Sequence, residues 1–371
     1  MFDKRTHQLF IAVLICVGAV SSAAAQNYVF SLDNAGVDAT PLEQANPVFP
    51  SKGLRSGQEG WVSMSFIVTP DGRAIDPVVI DATGGVTFEQ SARDVVSEWR
   101  FEAPESELAN NIVDIRFEIY RGRDMATSNF MRRYRRIMTH LHNEEPEDAR
   151  TQIDSANELG GWNLYESTML CLMLGRVDGA EGNTTGKLEN YRRALGVSNR
   201  RSLDGEDRRD LLVKMFDMQY ERGQYAAARR TLNLLKREIG GEKEVAQLQP
   251  KAEELSRQLD GADPVVATGT LYNPCNCDAG VPLWSYQPIR RAFSFASLSG
   301  NVERFEARCD RDRLQGPVKA GKRWTLPEDA GSCRVFVFGD DGASFDFVEH
   351  KDTEQDLVDE PSVVARSDVL D

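Results

Sequence analysis

Residues with chemistry to offer are few in this 371-residue sequence. Of its four His, His7 lies in a leader-like start, and His140 and His142 sit two apart in "MTHLHNEEPED". Metal chelation or general-base work by that pair would need one shared face, and positions i and i+2 of a helix do not share one. The expectation is a solvated helix end. The neighbouring carboxylates of Glu144, Glu145, Glu147 and Asp148 read as a solvated face ahead of a Pro-initiated helix. There is no G-x-S-x-G, no H-E-x-x-H, no phosphate-cradling Gly loop and no C-x-x-C. These residues point to no enzyme, no cofactor and no metal.

Cysteine offers redox or structural chemistry. Behind the leader stand Cys171, Cys275, Cys277, Cys309 and Cys333, an odd number that leaves at least one thiol over. Cys171 lies in the apolar helical context "STMLCLMLG", where a free Cys behaves as a small hydrophobe. Cys309 and Cys333 share one strand-rich region and form the best disulfide candidate. For Cys275 and Cys277 in "CNC" a bridge across one residue is strained, so reduced, paired elsewhere and metal-bound stay open.

The start of the chain bears on the compartment. "MFDKRTHQLFIAVLICVGAVSSAAAQN" has an early charged stretch, an apolar run from Leu9 to Val20, and Ala23 and Ala25 where a signal peptidase reads. Cleavage before Gln26, and a periplasmic protein, is the expectation; the alternative is an uncleaved inner-membrane anchor. The run falls short of the ~20 residues of a spanning helix. Membrane contact is expected only if the signal stays uncleaved. The formal charge of −14 argues against nucleic acid and anionic lipid, which require basic patches, and leaves protein partners open.

Three periodicities follow one another, which predicts an α+β multidomain chain. Residues 1–25 are the signal peptide and 26–45 a linker. Residues 46–123 mix strand and helix around a small antiparallel sheet. There Val62, Met64, Phe66 and Val68 alternate with Trp61, Ser63, Ser65 and Ile67 before the Pro70-Asp71-Gly72 turn. Val86, Phe88, Ala92, Val95, Val96 and Trp99 make a helical stripe. Residues 124–262 are helical. The spacing Gly223, Tyr225, Ala228, Leu232, Leu235 is that of a tetratricopeptide hairpin, although the intervals Ala156 to Ala194 and Ala194 to Leu235 (38 and 41 residues) exceed the usual ~34. A generic helical bundle is the equal alternative. Residues 263–349 read as a β-rich module closed by Cys309–Cys333, with Phe336, Phe338, Phe345 and Phe347 expected in its core. Residues 350–371 are acidic and read as a disordered tail.

The mixed region as a unit resembles the C-terminal domain of the TonB energy-transducer family. The resemblance is carried by Phe49-Pro50, by Glu59-Gly60 opening the first strand, by Pro70-Asp71-Gly72 in the turn, and by "TFEQSARDVVSEWRFEAP". It covers about a fifth of the chain. It implies a helix across a three-stranded sheet whose last strand is an edge able to accept an extended receptor segment by strand addition. By resemblance the contacting residues are Asn46, Pro47, Val48, Phe49 and Pro50, and then Asn111, Ile112, Val113, Asp114, Ile115, Arg116, Phe117, Glu118, Ile119 and Tyr120. The implied partner is a protein of the cell envelope, with a TonB-dependent outer-membrane receptor as the candidate.

The departures from the family are as specific. The apolar run holds no His, no Pro-rich spacer follows, and some 250 residues come after the domain. Twenty residues reach at most ~70 Å. A force-transmitting anchor is therefore not expected. The expected function is a non-enzymatic periplasmic protein that binds an envelope segment by strand addition, in TonB-dependent transport or its regulation. The alternative is a scaffold that binds through the helical repeats, with the TonB-like module purely structural.

Overall fold

The computed structural model describes residues 28–36, 39–119, 126–199, 202–261, 263–273 and 281–351. The expected signal peptide, Tyr120, Cys275, Cys277 and residues 352–371 of the expected tail lie outside the described residues. The architecture is mixed α and β: small antiparallel sheets, a run of helices, and a C-terminal β-rich region.

The first module contains β1 (Tyr28–Gly36), β2 (Pro41–Glu43), α1 (Ser51–Ser56), β3 (Gly60–Val68), β4 (Ala74–Thr83), α2 (Val86–Glu98), β5 (Arg100–Phe101) and β6 (Leu108–Ile119). Its sheet runs β1-β6-β3-β4, antiparallel throughout. The sheet has four strands where three were expected, because β1 lies inside the segment read as a linker.

The Pro-Asp-Gly turn forms as the sequence predicts. Gly72 has φ 77°, and a Cβ there would stand 2.2 Å from the Phe101 carbonyl oxygen, so only glycine fits. That approach lets the Phe101 N–H bond the Gly72 carbonyl at 2.8 Å, tying β5 to the hairpin. Phe88, Ala92, Val96 and Trp99 of the α2 stripe are fully buried on Val62, Met64, Phe66, Val113, Ile115 and Phe117. Each large side chain removed from water there contributes about 1.5–3 kcal/mol. Val86 is half-exposed instead, since it opens the helix beyond the sheet.

The alternation of β3 suggested one buried face, yet all nine of its residues are buried. The second face is covered by the rest of the chain. The helices are α3 (Ser128–His142), α4 (Pro146–Leu159), α5 (Leu164–Ala180), α6 (Thr184–Val197), α7 (Gly205–Glu221), α8 (Tyr225–Arg237) and α9 (Glu242–Asp260). They pack as the hairpins α3–α4, α5–α6 and α7–α8, with α9 against α8. Local chemistry starts them: Asn163 and Glu166 form a reciprocal capping box, and Asp204 accepts from Glu206 and Asp207 N–H. Gly223 turns α7 into α8 at φ 68°, with Tyr220 and Tyr225 edge-on at 5.9 Å and Ala228 buried between the helices.

The third module is a sandwich of two four-stranded sheets. One is ordered β11-β10-β13-β8, from β8 (Leu283–Tyr286), β10 (Val302–Cys309), β11 (Arg313–Pro317) and β13 (Cys333–Gly339). The other is β12-β9-β14-β7, from β7 (Val265–Thr270), β9 (Ala292–Ser299), β12 (Arg323–Thr325) and β14 (Ser344–His350). Phe345 and Phe347 fill the space between the sheets with Phe293, Phe295 and Trp284. Phe336 and Phe338 face the other way and pack on Leu283 and on Ile80 of the first module. Cys309 and Cys333 are bonded and stand opposite each other on β10 and β13. Cys171 is free and buried, which pushes its thiol up to about 11.

Candidate functional site: the strand position beside β6

In the expected site, Phe49 is the centre of an aromatic cluster, 5.9 Å from Phe117, 5.7 Å from Phe88 and 6.2 Å from Phe30. The approach segment is pinned along α2. The Trp99 indole N–H donates to the Ala45 carbonyl at 3.0 Å, and the Ser91 hydroxyl to the Val48 carbonyl at 2.5 Å. Pro47 and Phe49 are buried and Pro50 is half-buried; only Asn46 and Val48 face solvent. Phe49-Pro50 therefore builds the core beside the strand position.

On β6 the residues alternate. Val113, Ile115 and Phe117 are fully buried under α2. Asn111 is buried too, and its side-chain amide donates to the Leu108 carbonyl at 2.7 Å, so it shapes the start of the strand. Ile112, Asp114, Arg116, Glu118 and Ile119 are half-buried. Arg116 donates to the Gly196 carbonyl of α6 at 2.6 Å, and Ile112 packs with Ile80, Phe336 and Leu283. The charged residues expected to face water along an open edge lie partly against the helical and β modules.

Nor is β6 an edge. It pairs with β3 from Gly60↔Phe117 to Val68↔Leu108, and on its other side with β1 from Tyr28↔Ile119 to Gly36↔Ile112. The expectation of an edge strand is corrected by chain that had been read as linker. The sheet ends instead at β1 and β4. Sequence reasoning passed over β1 because residues 26–45 read as a linker. The signal was there in the alternation of Tyr28, Phe30 and Leu32 with Val29, Ser31 and Asp33.

The C-terminal end of β6 is fixed by Glu59, whose buried carboxylate takes the Ile119 N–H at 2.9 Å through Oε1 and the Leu164 N–H at 2.9 Å through Oε2. This joins β6 to the N-terminus of α5, where a carboxylate also suits the helix dipole. Two further junctions hold the modules together. Asp81, wholly buried on β4, receives Arg193 Nε at 2.8 Å and Arg192 at 2.9 Å from α6, and its negative charge raises the Arg193 pKa. Arg308, wholly buried on β10, donates to the Asp76 carboxylate at 2.6 Å, the Asp76 carbonyl at 3.1 Å and the Ser65 hydroxyl at 3.3 Å. Asp76 reaches it from a bulge at Asp76-Pro77, with φ 50°. A bulge on an edge strand is where a proline that cannot donate to the ladder is tolerated.

Outside this region, His140, Glu145 and Asp148 gather ligand-type atoms within 4.8 Å, with His140 Nδ1 at 2.7 Å from Glu145. The sequence set His140 and His142 on different faces of a solvated helix end; the turn between α3 and α4 places His140 beside Glu145 and Asp148. Among the described residues no helix is long and apolar enough to cross a membrane.

The model of the Gram-negative bacterial TonB protein C-terminal family matches residues 45–120. Protein TonB of Yersinia enterocolitica is 36% identical over 62 residues, covering 17% of this chain and 24% of that protein. Protein TonB of Pseudomonas aeruginosa is 35% identical over 65 residues, 18% of this chain and 19% of that protein. The chain thus spans a quarter or less of the length of these two relatives. The solution NMR structure of the Pseudomonas aeruginosa TonB C-terminal domain aligns at 28% identity over 24% of this chain and 91% of that one, with a TM-score of 0.21. Residues 45–120 of this chain are a TonB C-terminal domain, set between an N-terminal strand and two further modules.

Proposed function

We propose that this chain is a non-enzymatic periplasmic binding protein of TonB-dependent transport or its regulation. Its TonB C-terminal domain takes an extended segment of an envelope protein beside β6, a TonB-dependent outer-membrane receptor being the candidate partner. The observation that supports this is the family match at residues 45–120 together with the state of β6. One side of β6 is built into the sheet body by β3, while the other is completed by a single N-terminal strand. Backbone N–H and C=O groups on that second side supply affinity to any extended chain, and the Phe49–Phe117 pair, on which Phe30 packs, is the contact for an aromatic side chain of such a chain.

The test is hydrogen-exchange mass spectrometry of the full chain with and without an extended peptide from such a receptor. Slowed exchange across residues 108–119 is the expected result. A second reading is favoured by the buried junctions at Asp81 and Arg308, which fasten the TonB module to the others. In that reading the module is structural, and the helical hairpins, stacked in the manner of tetratricopeptide repeats, hold the partner. Slowed exchange confined to the helical hairpins, with none at 108–119, would replace the first reading by the second.

A further inference from the structure

The two partners of β6 are unequal. β3 is buried along its whole length. β1 makes six consecutive rungs, Tyr28↔Ile119 to Asp33↔Asp114, and then its register slips before Gly36↔Ile112. Phe30 is its described side-chain anchor, half-buried, edge-on to Phe117 at 5.4 Å and 6.2 Å from Phe49. β1 ends at Gly36 and β2 starts at Pro41, so a short connection of chain links them. It spans Ile112 to Ile119, the stretch at which the proposed function seats an incoming segment. Two extended segments cannot use the same backbone groups of β6.

We infer that β1 is a resident strand which the partner segment must displace, so that binding at β6 is a strand exchange. This rests on the strand-addition reading and adds its regulation. Exchange replaces one ladder of backbone hydrogen bonds by another of the same kind, so the ladder itself favours neither side. Side chains and effective concentration decide. A strand tethered by a short connection competes at an effective concentration of order millimolar. The apparent affinity of an outside segment is reduced by the fraction of molecules in which β6 is open.

The register also describes the segment that would win. It runs antiparallel to β6 and carries an aromatic opposite Phe117, where Phe30 now stands. The partner's chemistry is therefore an extended peptide with an aromatic at the position that meets Phe117.

Two labelled peptides serve as probes: the β1 sequence YVFSLDNAG, and the same peptide with Ser in place of its Phe. They are titrated by fluorescence anisotropy against three forms of the full chain: unmodified, Phe30→Ser, and a Val29→Cys/Glu118→Cys pair that bonds β1 to β6. The parent peptide should bind the unmodified chain roughly threefold more tightly than the serine peptide, which lacks the ring that meets Phe117. Phe30→Ser should tighten both about tenfold, because β6 is open more often. The oxidised pair should abolish binding and its reduction restore it.

Equal binding to all three forms, oxidised pair included, would overturn the resident strand yet leave strand addition standing if exchange still slows at 108–119. Absence of binding to Phe30→Ser and to the reduced pair alike would overturn both. Should Phe30→Ser fail to fold, hydrogen exchange in the unmodified chain decides. Amides of β6 bonded to β1 should exchange at least about tenfold faster than those bonded to β3. Equal protection would overturn the inference.

Discussion

Glu59 and Ile119 close the end of β6: the carboxylate of the first takes the backbone N–H of the second at 2.9 Å while its other oxygen takes Leu164 N–H. One side chain from the start of β3 thus fixes where β6 leaves the sheet and where the helical region begins. Glu59→Gln keeps the size and puts an amide N–H against one of those two donors. It should cost about 1–3 kcal/mol of stability, the penalty of a buried donor left unmade. Urea unfolding with an unchanged m-value is the measurement, and a loss near zero would remove Glu59 from this role.

Arg308 carries the junction between the first and third modules. It is wholly buried, bonded to Asp76 and Ser65 of the TonB module and to Glu306 beside it on β10. Arg308→Met keeps the stem and removes the charge, leaving buried Glu306 without its nearest guanidinium. A destabilisation of about 3–5 kcal/mol is expected. Replacing Arg308 and Glu306 together by apolar residues should recover much of it, because no buried charge is then stranded and the Asp76 carboxylate is half-exposed to water. Thermal unfolding of the single and double variants makes the comparison.

Gly196 sits against the Trp61 ring, where a Cβ would stand 2.6 Å from the nearest ring atom. Gly196→Leu should push α6 off the TonB sheet and cost about 1–3 kcal/mol as an overpacked contact. The Trp61 fluorescence should shift to the red as the ring meets water, while a substitution at the exposed Ile239 leaves it unchanged.

Glu89 sets a pH dependence. Its carboxyl is buried on α2, neither oxygen has a hydrogen-bond partner, and desolvation raises its pKa, opposed by Arg93 at 3.9 Å. A carboxyl whose folded pKa is raised binds its proton more tightly in the folded chain than in the unfolded one. Its contribution is therefore most favourable below its ordinary value and declines as pH rises from there through the raised folded pKa. Glu89→Gln should flatten that decline and raise the melting temperature at pH 7 relative to the parent. A steeper fall of melting temperature with pH in the variant would contradict this assignment.

Much of the TonB domain was legible in the chain because its signals are local. The Pro70-Asp71-Gly72 turn, the α2 stripe and the β3 alternation each need only a few residues and a period. The disulfide pair was legible from one strand-rich context, and Cys309 and Cys333 are indeed opposite one another. What misled was the second face of each element. Asp114, Arg116 and Glu118 read as part of an open edge. Distant residues arrive on that face: Arg116 meets Gly196 of α6, and Ser65 of β3 meets Arg308 of β10.

The sequence by itself determined most of the strand and helix segments, β1 and β2 in the expected linker aside, because turn chemistry and apolar period act over a few residues. Only the tertiary structure decided which strand is the edge and what a charged side chain faces. Both depend on which distant segment arrives. A strand's free hydrogen-bonding side looks the same in sequence whether water, a partner or residues 28–36 complete it, and here β1 completes it.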